Sequence, residues 1–316
     1  MNGTPPLDVV LGTGALGRAV ADELLGRGRR VRLVNRSGQL AEPPAGATLL
    51  AADLTDAGAA QTACAEADTV YLCANAPYTD WLAKWPPLAT GSLEGAARAG
   101  AKLVYGDNLY AYGPVDGPLR EDLPAAPTGV KGRVRAGIAT RFLEAHRAGL
   151  VRVAIGRASD FYGPWATDSS LLGSRVIPAA LAGKAGQVIG DVDQPHTFTF
   201  IRDYARGLAT LGARDEALGQ VWHVPSAETT TQRALLAMVW QEAGAGESRF
   251  SAAPGYLVRA FGLFSPIMRE LAEMLYEWER PYVVDHSKFE RAFGAEATPH
   301  REAVRETVAW FRAHRG

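Results

Sequence analysis

Cysteine, lysine and long apolar runs are scarce in this sequence. Two of the 316 residues are cysteines, Cys64 and Cys73, which is too few for a disulfide framework or a cysteine-rich zinc cluster. The six histidines show no metal-ligand spacing such as H-E-x-x-H, so we expect no bound metal. No stretch approaches the roughly 18 consecutive apolar residues of a transmembrane helix, so we expect no membrane partner.

An excess of charge of either sign is also absent. The 33 basic and 34 acidic side chains give a net charge of -1, and the isoelectric point is about 6.6. Such a balance creates no positive field that would collect nucleic acid, so we expect no nucleic-acid partner. The first six residues contain no basic segment followed by an apolar one, so we expect no secretory signal. Together with the low cysteine content this favours a cytoplasmic protein.

Short apolar runs alternate with helical patterns over the first half of the chain. Runs of this kind are buried on both faces of a sheet, which predicts an α/β fold with a doubly wound parallel sheet and crossover helices. The predicted strands are Asp8 to Leu11, Val31 to Val34, Thr48 to Ala51, Thr69 to Cys73, Leu103 to Tyr105 and Val151 to Ile155.

A glycine pattern, Gly12-Thr13-Gly14-Ala15-Leu16-Gly17, follows the first predicted strand and opens the first predicted helix. Gly12 permits a tight turn, Gly14 lets the backbone approach a ligand, and Gly17 allows the helix to pack closely on the strand. The free amides and the dipole at the start of a helix favour an anion. These six residues therefore predict a dinucleotide site with the diphosphate at the helix start.

The second predicted strand ends in Asn35, Arg36 and Ser37 instead of an acid. A carboxylate there would accept from a ribose 2′-hydroxyl and would repel a 2′-phosphate. Arg36 can instead pair with such a phosphate, and Asn35 and Ser37 can donate to it. We therefore predict NADP as the cofactor in preference to NAD.

Two further segments suit contacts with the cofactor. Asp53 and Leu54 follow the third strand, where a carboxylate can accept from the adenine amino group. Ala74, Asn75 and Ala76 follow the fourth strand, where small residues leave room for the nicotinamide half.

The pattern loosens in the second half into loops, two apolar runs and a helix-rich tail. We predict a Rossmann-type dinucleotide-binding domain in residues 1–165, to which a segment at about 196–225 returns. Residues 166–195 and 226–316 are expected to form a smaller, mostly helical C-terminal lobe that binds the substrate. The apolar segment Gly255 to Trp278 is expected in the core of that lobe, with a partner-binding or membrane-surface helix as the alternative.

With these motifs the chain resembles the extended short-chain dehydrogenase/reductase superfamily, in its NAD-dependent epimerase/dehydratase group. The resemblance implies a catalytic Ser or Thr after the fifth strand and a Tyr-x-x-x-Lys on the next helix. That Tyr would exchange a proton with the substrate oxygen, while the Lys would lower the Tyr pKa and hold the nicotinamide ribose. Besides the glycine pattern and Asp53-Leu54, the resembling segments are Val104-Tyr105 to Tyr112-Gly113, Phe161-Tyr162-Gly163-Pro164, Phe200-Ile201-Arg202-Asp203 and Asp285-His286-Ser287-Lys288.

The catalytic residues that the resemblance implies are missing from this sequence. None of the ten tyrosines has a lysine four residues later. Lys131 stands where the Tyr is expected and Arg135 where the Lys is expected, and Asp107-Asn108 replaces the usual serine pair. The cofactor site thus carries over residue by residue, and the catalytic residues do not.

Three interpretations of the catalytic site remain open. In the first, Arg135 holds the ribose, Lys131 donates the proton because desolvation and nearby arginines lower its pKa, and Asn108 polarises the substrate carbonyl. In the second, a tyrosine near the carboxyl edge of the sheet is the acid. In the third, the fold binds NADP(H) as a regulator without catalysis. The candidate tyrosines are Tyr105, Tyr110, Tyr112 and Tyr162.

We predict an NADP(H)-dependent oxidoreductase that acts on a small carbonyl, alcohol or similar polarised group. A redox-neutral epimerase or dehydratase with bound cofactor, and a non-catalytic regulator, are the alternatives. The resemblance also implies a possible homodimer, paired through the helices near Pro87 to Ala99 and Gly132 to Ala148.

Overall fold

The structure of the protein is a computed structural model that describes residues 5–294 and 296–314. Of the first six residues, on which the expectation about a secretory signal depends, 1–4 lie outside the described residues. The strands are β1 (Leu7–Leu11), β2 (Arg30–Asn35), β3 (Thr48–Ala51), β4 (Thr69–Leu72), β5 (Lys102–Asp107), β6 (Arg152–Arg157), β7 (Phe161–Tyr162), β8 (Gly186–Ile189), β9 (Pro195–His196), β10 (Thr199–Phe200), β11 (Val221–His223), β12 (Thr230–Thr231) and β13 (Phe250–Ala253).

Helices connect these strands and make up most of the C-terminal third. They are α1 (Ala15–Gly26), α2 (Ala57–Cys64), α3 (Trp81–Ala99), α4 (Val130–Arg147), α5 (Ile177–Leu181), α6 (Ile201–Ala213), α7 (Gln232–Ala243), α8 (Gly255–Phe261), α9 (Pro266–Glu273), α10 (Tyr276–Glu279), α11 (Ser287–Phe293) and α12 (His300–Ala313). Short 3-10 turns occupy Tyr78–Asp80, Tyr110–Tyr112 and Asp215–Ala217. Across the described residues every helix is too short or too polar to span a lipid bilayer.

Seven of the described strands form one sheet in the order β11-β6-β5-β4-β1-β2-β3, and every neighbouring pair is parallel. The first six strands of the chain coincide with the six predicted ones to within two residues. The predicted fold class, a doubly wound Rossmann-type sheet, is therefore confirmed.

Two separate layers of apolar side chains cover the sheet. Successive side chains of a strand point to opposite faces, so Val9 and Leu11 pack in the layer with α2, α3 and α4, and Val10 packs in the layer with α1 and α6. α1 fits its layer because Leu16, Val20 and Leu24 recur at four-residue spacing on its buried face. Helices on both faces explain why the strands read as continuous apolar runs.

The C-terminal part of the chain lies beyond the carboxyl edge of the sheet and is mostly helical. Two short pairings, β8 with β13 and β9 with β12, hold it together, and α5, α7 and α12 pack on each other. α6 and β11 return to the sheet, since α6 packs on α1 and β11 pairs with β6. The division into two domains with the predicted bounds stays a prediction.

The segment Gly255 to Trp278 differs from its expected burial. Val258, Met274, Leu275 and Trp278 are buried as predicted. Six other large apolar side chains of the segment are exposed, with Phe264 the most exposed at 87%, and Met268, Leu271 and Tyr276 are half-buried. The prediction that this segment forms core is therefore only partly correct, because α8 buries little more than Val258 and α9 has no fully buried residue. The exposed side chains are Tyr256, Leu257, Phe261, Leu263, Phe264 and Ile267.

Candidate active site

A cavity of about 610 Å³ lies at the carboxyl edge of the sheet. The chain runs from β1 outward through β2 and β3, and then from β4 outward through β5 and β6 on the other side. The connections after β1 and β4 therefore diverge and leave a crevice, which is where ligands bind in open α/β sheets. The cavity walls come from the turns that follow β1, β4, β5 and β6, and from α9 and α10 on the opposite side.

The glycine turn after β1 is built for close contact. Gly12 has a φ of 106°, and a Cβ added there would lie 2.5 Å from the backbone of Ala74. A Cβ on Gly17 would lie 1.9 Å from the carbonyl oxygen of Gly12, whereas a Cβ on Gly14 would meet nothing within 4 Å. The first and third glycines are thus required by the fold, and Gly14 leaves open space at the start of α1. Gly14, Ala15 and Leu16 line the cavity.

In the turn after β2, the side chains of Asn35 and Ser37 are hydrogen-bonded and that of Arg36 is exposed. The Asn35 amide donates to Thr13 at 3.0 Å and to the carbonyl of Gln39 at 2.9 Å, and its oxygen accepts from the backbone of Ser37 and Gly38. Ser37 also uses its hydroxyl within this turn. Arg36 is exposed and makes no hydrogen bond or ion pair with the described residues. Of the three side chains, Arg36 is therefore the one that no described contact holds within the turn.

Of the residues after β3 and β4, Asp53, Leu54 and Ala76 are not among the described lining residues of the cavity. Asp53 is exposed and accepts two hydrogen bonds from Thr55, which hold the pKa of its carboxyl below the usual range. Leu54 is buried. Ala74 and Asn75 line the cavity, and the amide oxygen of Asn75 accepts from the indole of Trp85 at 2.9 Å. Ala76 is buried, and its carbonyl accepts from the Trp81 indole.

Arg135 occupies a buried position between the sheet and α3. Its Nη1 donates to the hydroxyl of Tyr105 at 2.5 Å and lies 3.4 Å from the carboxylate of Asp107. The guanidinium also lies over the rings of Trp81 and Trp85, at 4.6 and 4.3 Å. Burial disfavours its charge, but Tyr105 and Asp107 outweigh that effect and raise the pKa of Arg135. Arg135 is therefore a fixed cation.

The side chain of Arg135 keeps donor capacity that the described residues do not use. Nε is buried and makes no hydrogen bond within the described residues, although the side chain lines the cavity. The hydroxyl of Ser159, after β6, is likewise buried, lines the cavity and has no described partner. Buried polar atoms are rarely left unpaired, so both indicate a ligand that supplies the missing partners.

The structure separates the five predicted catalytic residues into two groups. Asn108 and Arg135 line the cavity, whereas Lys131, Tyr105 and Tyr162 are not among its described lining residues. The ring of Tyr105 is buried behind Arg135, and the hydroxyl of Tyr162 is hydrogen-bonded to His300 at 3.1 Å.

Lys131 is occupied by contacts with the C-terminal lobe. Its Nζ pairs with the carboxylates of Glu270 and Glu273 and lies 4.4 Å from the ring centre of Tyr78. Burial lowers the pKa of Lys131, as predicted, but the neighbour that acts on it is Glu273, which raises the pKa, rather than the arginines of its own helix. The contacts of Lys131 thus join the start of α4 to α9.

Sequence reasoning missed a second set of polar groups on the far wall of the cavity. Asp160 lies three residues after β6, and Glu277 and Tyr282 come from α10 and the segment after it. The Tyr282 hydroxyl donates to Glu277 at 3.0 Å, and His196 lies 3.0 Å from the carboxylate of Asp160. The position of Asp160 after a strand was a usable signal. Glu277 stands in a helical stretch whose local pattern says nothing about a site.

The residues present fit a nicotinamide dinucleotide. Gly14 leaves space where a diphosphate would meet the amides at the start of α1, and Gly12 and Gly17 allow the close approach of the surrounding backbone. Arg135, whose Nε has no partner among the described residues, stands at the sequence position where the resemblance implies the residue that holds the ribose. Among the described residues, no three His, Cys, Asp or Glu side chains are grouped so as to hold a metal ion.

Comparisons with known proteins agree with this geometry. Residues 9–224 match the NAD dependent epimerase/dehydratase family. A curated relative, dTDP-6-deoxy-L-talose 4-dehydrogenase (NAD(P)(+)) from Kitasatospora kifunensis, is 28% identical over 253 residues, which cover 75% of this chain and 78% of that protein.

Solved structures show the same fold at low sequence identity. A dTDP-glucose 4,6-dehydratase from Streptomyces venezuelae, with NAD bound, superposes with a TM-score of 0.78 at 20% identity, over 98% of each chain. A UDP-glucose 4-epimerase from Thermotoga maritima, with UDP-glucose bound, superposes with a TM-score of 0.79 at 17% identity, over 97% of this chain and 99% of that one. Because the family match spans more than half of the residues, the chain belongs to the NAD-dependent epimerase/dehydratase family of extended short-chain dehydrogenases/reductases.

Proposed function

We propose that this protein is an NADP(H)-dependent oxidoreductase that interconverts a hydroxyl and a carbonyl group on a small-molecule substrate. The observation that carries the proposal is the buried guanidinium of Arg135, with its unpaired Nε, in the cavity between the glycine turn and Asn108. The name of the curated relative, a dehydrogenase with NAD(P)(+), supports an oxidation or reduction as the net reaction.

Different residues of the cavity would bind the cofactor and polarise the substrate carbonyl. When bound, the nicotinamide would supply or accept the hydride. Arg135 would donate from Nε to the nicotinamide ribose. The amide oxygen of Asn108 accepts a hydrogen bond from the backbone N–H of Tyr110 at 3.2 Å. The amide nitrogen of Asn108 would then donate to a substrate carbonyl.

The proton donor of this reaction would be one of the groups that line the cavity. Lys131 is held by two carboxylates outside the described lining, so we assign to it the positioning of α9 against α4 instead.

The preference for NADP rests on the turn after β2. Arg36 is the exposed cation there, and the neighbouring Asn35 carries no charge that would repel a 2′-phosphate. The 2′-phosphate carries negative charge that the ribose hydroxyl of NAD lacks, so Arg36 would favour NADP.

The test follows the absorbance of NADPH in the presence of small ketones and of 4-keto sugar nucleotides. The wild-type protein is expected to oxidise one NADPH for each carbonyl reduced. Arg135→Ala is expected to lose most of this activity, whereas Arg133→Ala, on the exposed side of the same helix, is expected to retain it. Conversion of substrate without consumption of NADPH would establish redox-neutral chemistry instead, and full activity of Arg135→Ala would refute the role of Arg135.

A further inference from the structure

We infer that Glu277 is the proton donor of this site, acting as a neutral carboxylic acid that faces the cavity from the C-terminal lobe. This inference rests on the proposed function, because a proton donor is needed only where a carbonyl oxygen becomes a hydroxyl. It replaces the family's tyrosine, which would come from the helix after the fifth strand, with a group from the opposite wall.

The placement of Glu277 suits direct contact with a substrate. The residue lies on α10, is 1% exposed and lines the same cavity as Asn108 and Arg135. The hydroxyl of Tyr282 donates to its Oε1 at 3.0 Å, so a proton on the carboxyl is carried by Oε2. A substrate in the cavity would therefore lie between Arg135 and Asn108 on the sheet side and this carboxyl on the lobe side.

The surroundings of Glu277 favour the neutral form. Burial raises the pKa of Glu277 well above its usual value, and the charge of Asp160 raises it further, while the hydrogen bond from Tyr282 opposes both. The described titratable groups that interact with Glu277 are one carboxyl and four phenols: Asp160 after β6, Tyr78 before α3, Tyr110 after β5, Tyr276 on α10 and Tyr282 after it. A carboxylic acid kept neutral in a buried site donates a hydrogen bond to a developing oxyanion.

The carboxyl of Asp160 differs from that of Glu277 in its contacts and in its exposure. Nε2 of His196 lies 3.0 Å from Oδ2 of Asp160, its other ring nitrogen lies 3.1 Å from the backbone carbonyl of Glu277, and its ring stacks on Trp278 at 4.3 Å. The side chain of Asp160 is 27% exposed. Of the two carboxyls, Glu277 is the more deeply buried, and burial disfavours its charged form, which assigns the donor role to Glu277.

The proton and electron balance of the step is simple. The carbonyl carbon gains a hydride from NADPH, which is oxidised to NADP+, and the electron pair of the broken π bond moves to the carbonyl oxygen. That oxygen takes the proton from Oε2 of Glu277, so a C–H and an O–H bond form. Glu277 is left as a carboxylate and regains a proton from water, and the sum is ketone, NADPH and a proton giving alcohol and NADP+.

Glu277→Gln is the central test, because glutamine keeps the shape and the hydrogen bond from Tyr282 but has no proton to transfer. With a ketone that the wild type reduces, kcat is expected to fall by roughly 100-fold or more, with KM and NADPH affinity nearly unchanged. The control is Glu279→Gln on the same helix, whose carboxylate pairs with Arg259 and which is expected to keep wild-type kcat.

The pH profile gives a readout that a merely structural role would not change. In the wild type, kcat for reduction is expected to fall as the pH rises through the pKa of Glu277, since the protonated form is the donor. Tyr282→Phe removes the hydrogen bond that lowers this pKa, so the fall is expected at higher pH. Tyr282→Phe also serves as the second variant if Glu277→Gln fails to fold.

Infrared difference spectra of wild type against Glu277→Gln test the neutral carboxyl without any turnover. A carbonyl band of a protonated carboxyl is expected in the wild type at neutral pH. Its absence overturns the inference, as does an active wild type with an equally active Glu277→Gln. If the wild type oxidises no NADPH with any ketone of the panel, the proposed function fails, and the assignment of a donor fails with it.

Discussion

Asp107 and Arg157 lie directly opposite each other on β5 and β6, and Nε of Arg157 donates to the Asp107 carboxylate at 2.9 Å. Their side chains are 0% and 7% exposed. The other carboxylate oxygen faces Arg135 at 3.4 Å, so one acid holds two arginines below the cavity. Because strand register fixes the pair, the positive charge of Arg135 is anchored to the sheet rather than to a mobile loop.

Asp107→Asn is expected to lower the free energy of unfolding by about 3 to 5 kcal/mol, because it leaves two buried cations with reduced compensation. Asp193→Asn, which breaks an exposed pair with Arg233, is the matched control and is expected to leave the free energy of unfolding nearly unchanged, because water screens the pair. Urea unfolding of the three proteins measures the difference. Equal losses in the two variants would mean that the buried cluster does not support the fold.

His223 is expected to make stability depend on pH in acid. Burial lowers the pKa of His223 from 6.5 to about 3, so the unfolded chain binds a proton more readily than the folded one between these values. The free energy of unfolding should therefore be highest above pH 6.5 and fall as the pH drops toward 3, by at most about 1.4 kcal/mol per pH unit from this group.

His223→Asn should reduce that slope, whatever it does to stability at neutral pH. The ring of His223 lies between the hydroxyl of Tyr112 at 2.9 Å and the carbonyl of Asp285 at 3.0 Å, which fixes it as a neutral donor and acceptor. Urea midpoints measured from pH 7 down to pH 4 give the slope. An unchanged slope in the variant would assign the acid sensitivity to other groups.

Arg36→Ala is expected to weaken NADPH binding by about 2 kcal/mol, roughly 30-fold, and to leave NADH binding nearly unchanged. The reason is that only the 2′-phosphate would meet the guanidinium. Titration of cofactor fluorescence measures both affinities, and Arg98→Ala, an exposed arginine on α3, controls for the loss of a surface charge. A parallel loss of NADH and NADPH binding would contradict the NADP preference.

We propose that α3 and α4 form the contact of a homodimer. A surface groove of about 480 Å³ runs between these helices, and Leu82 and Val130 on its rim are 69% and 38% exposed. Leu82→Glu is expected to convert a dimer into a monomer of 33.7 kDa in light scattering. Leu263→Glu, equally apolar and 74% exposed on the C-terminal lobe, is the control. Dissociation by Leu263→Glu alone would move the contact to that lobe.

Local pattern in the sequence was sufficient for the sheet and for the start of the cofactor site. Strands buried on both faces need apolar side chains at nearly every position, so Val9, Val10 and Leu11 read as a strand without further information. The glycine turn is local only in part. Gly17 is required by its contact with the carbonyl of Gly12 in the same turn, whereas Gly12 is required by the backbone of Ala74 after β4.

Tertiary structure alone decided which polar groups face the cavity. Lys131 and Arg135 are one helical turn apart and look alike in sequence, yet α9 supplies two carboxylates that hold Lys131 outside the lining, while Arg135 meets Asp107 across the sheet. Glu277 reaches the same site although it lies far beyond that helical turn in the sequence, on α10. Its burial, and hence its protonation, depends on packing against Asp160 and Tyr282 that no local pattern encodes.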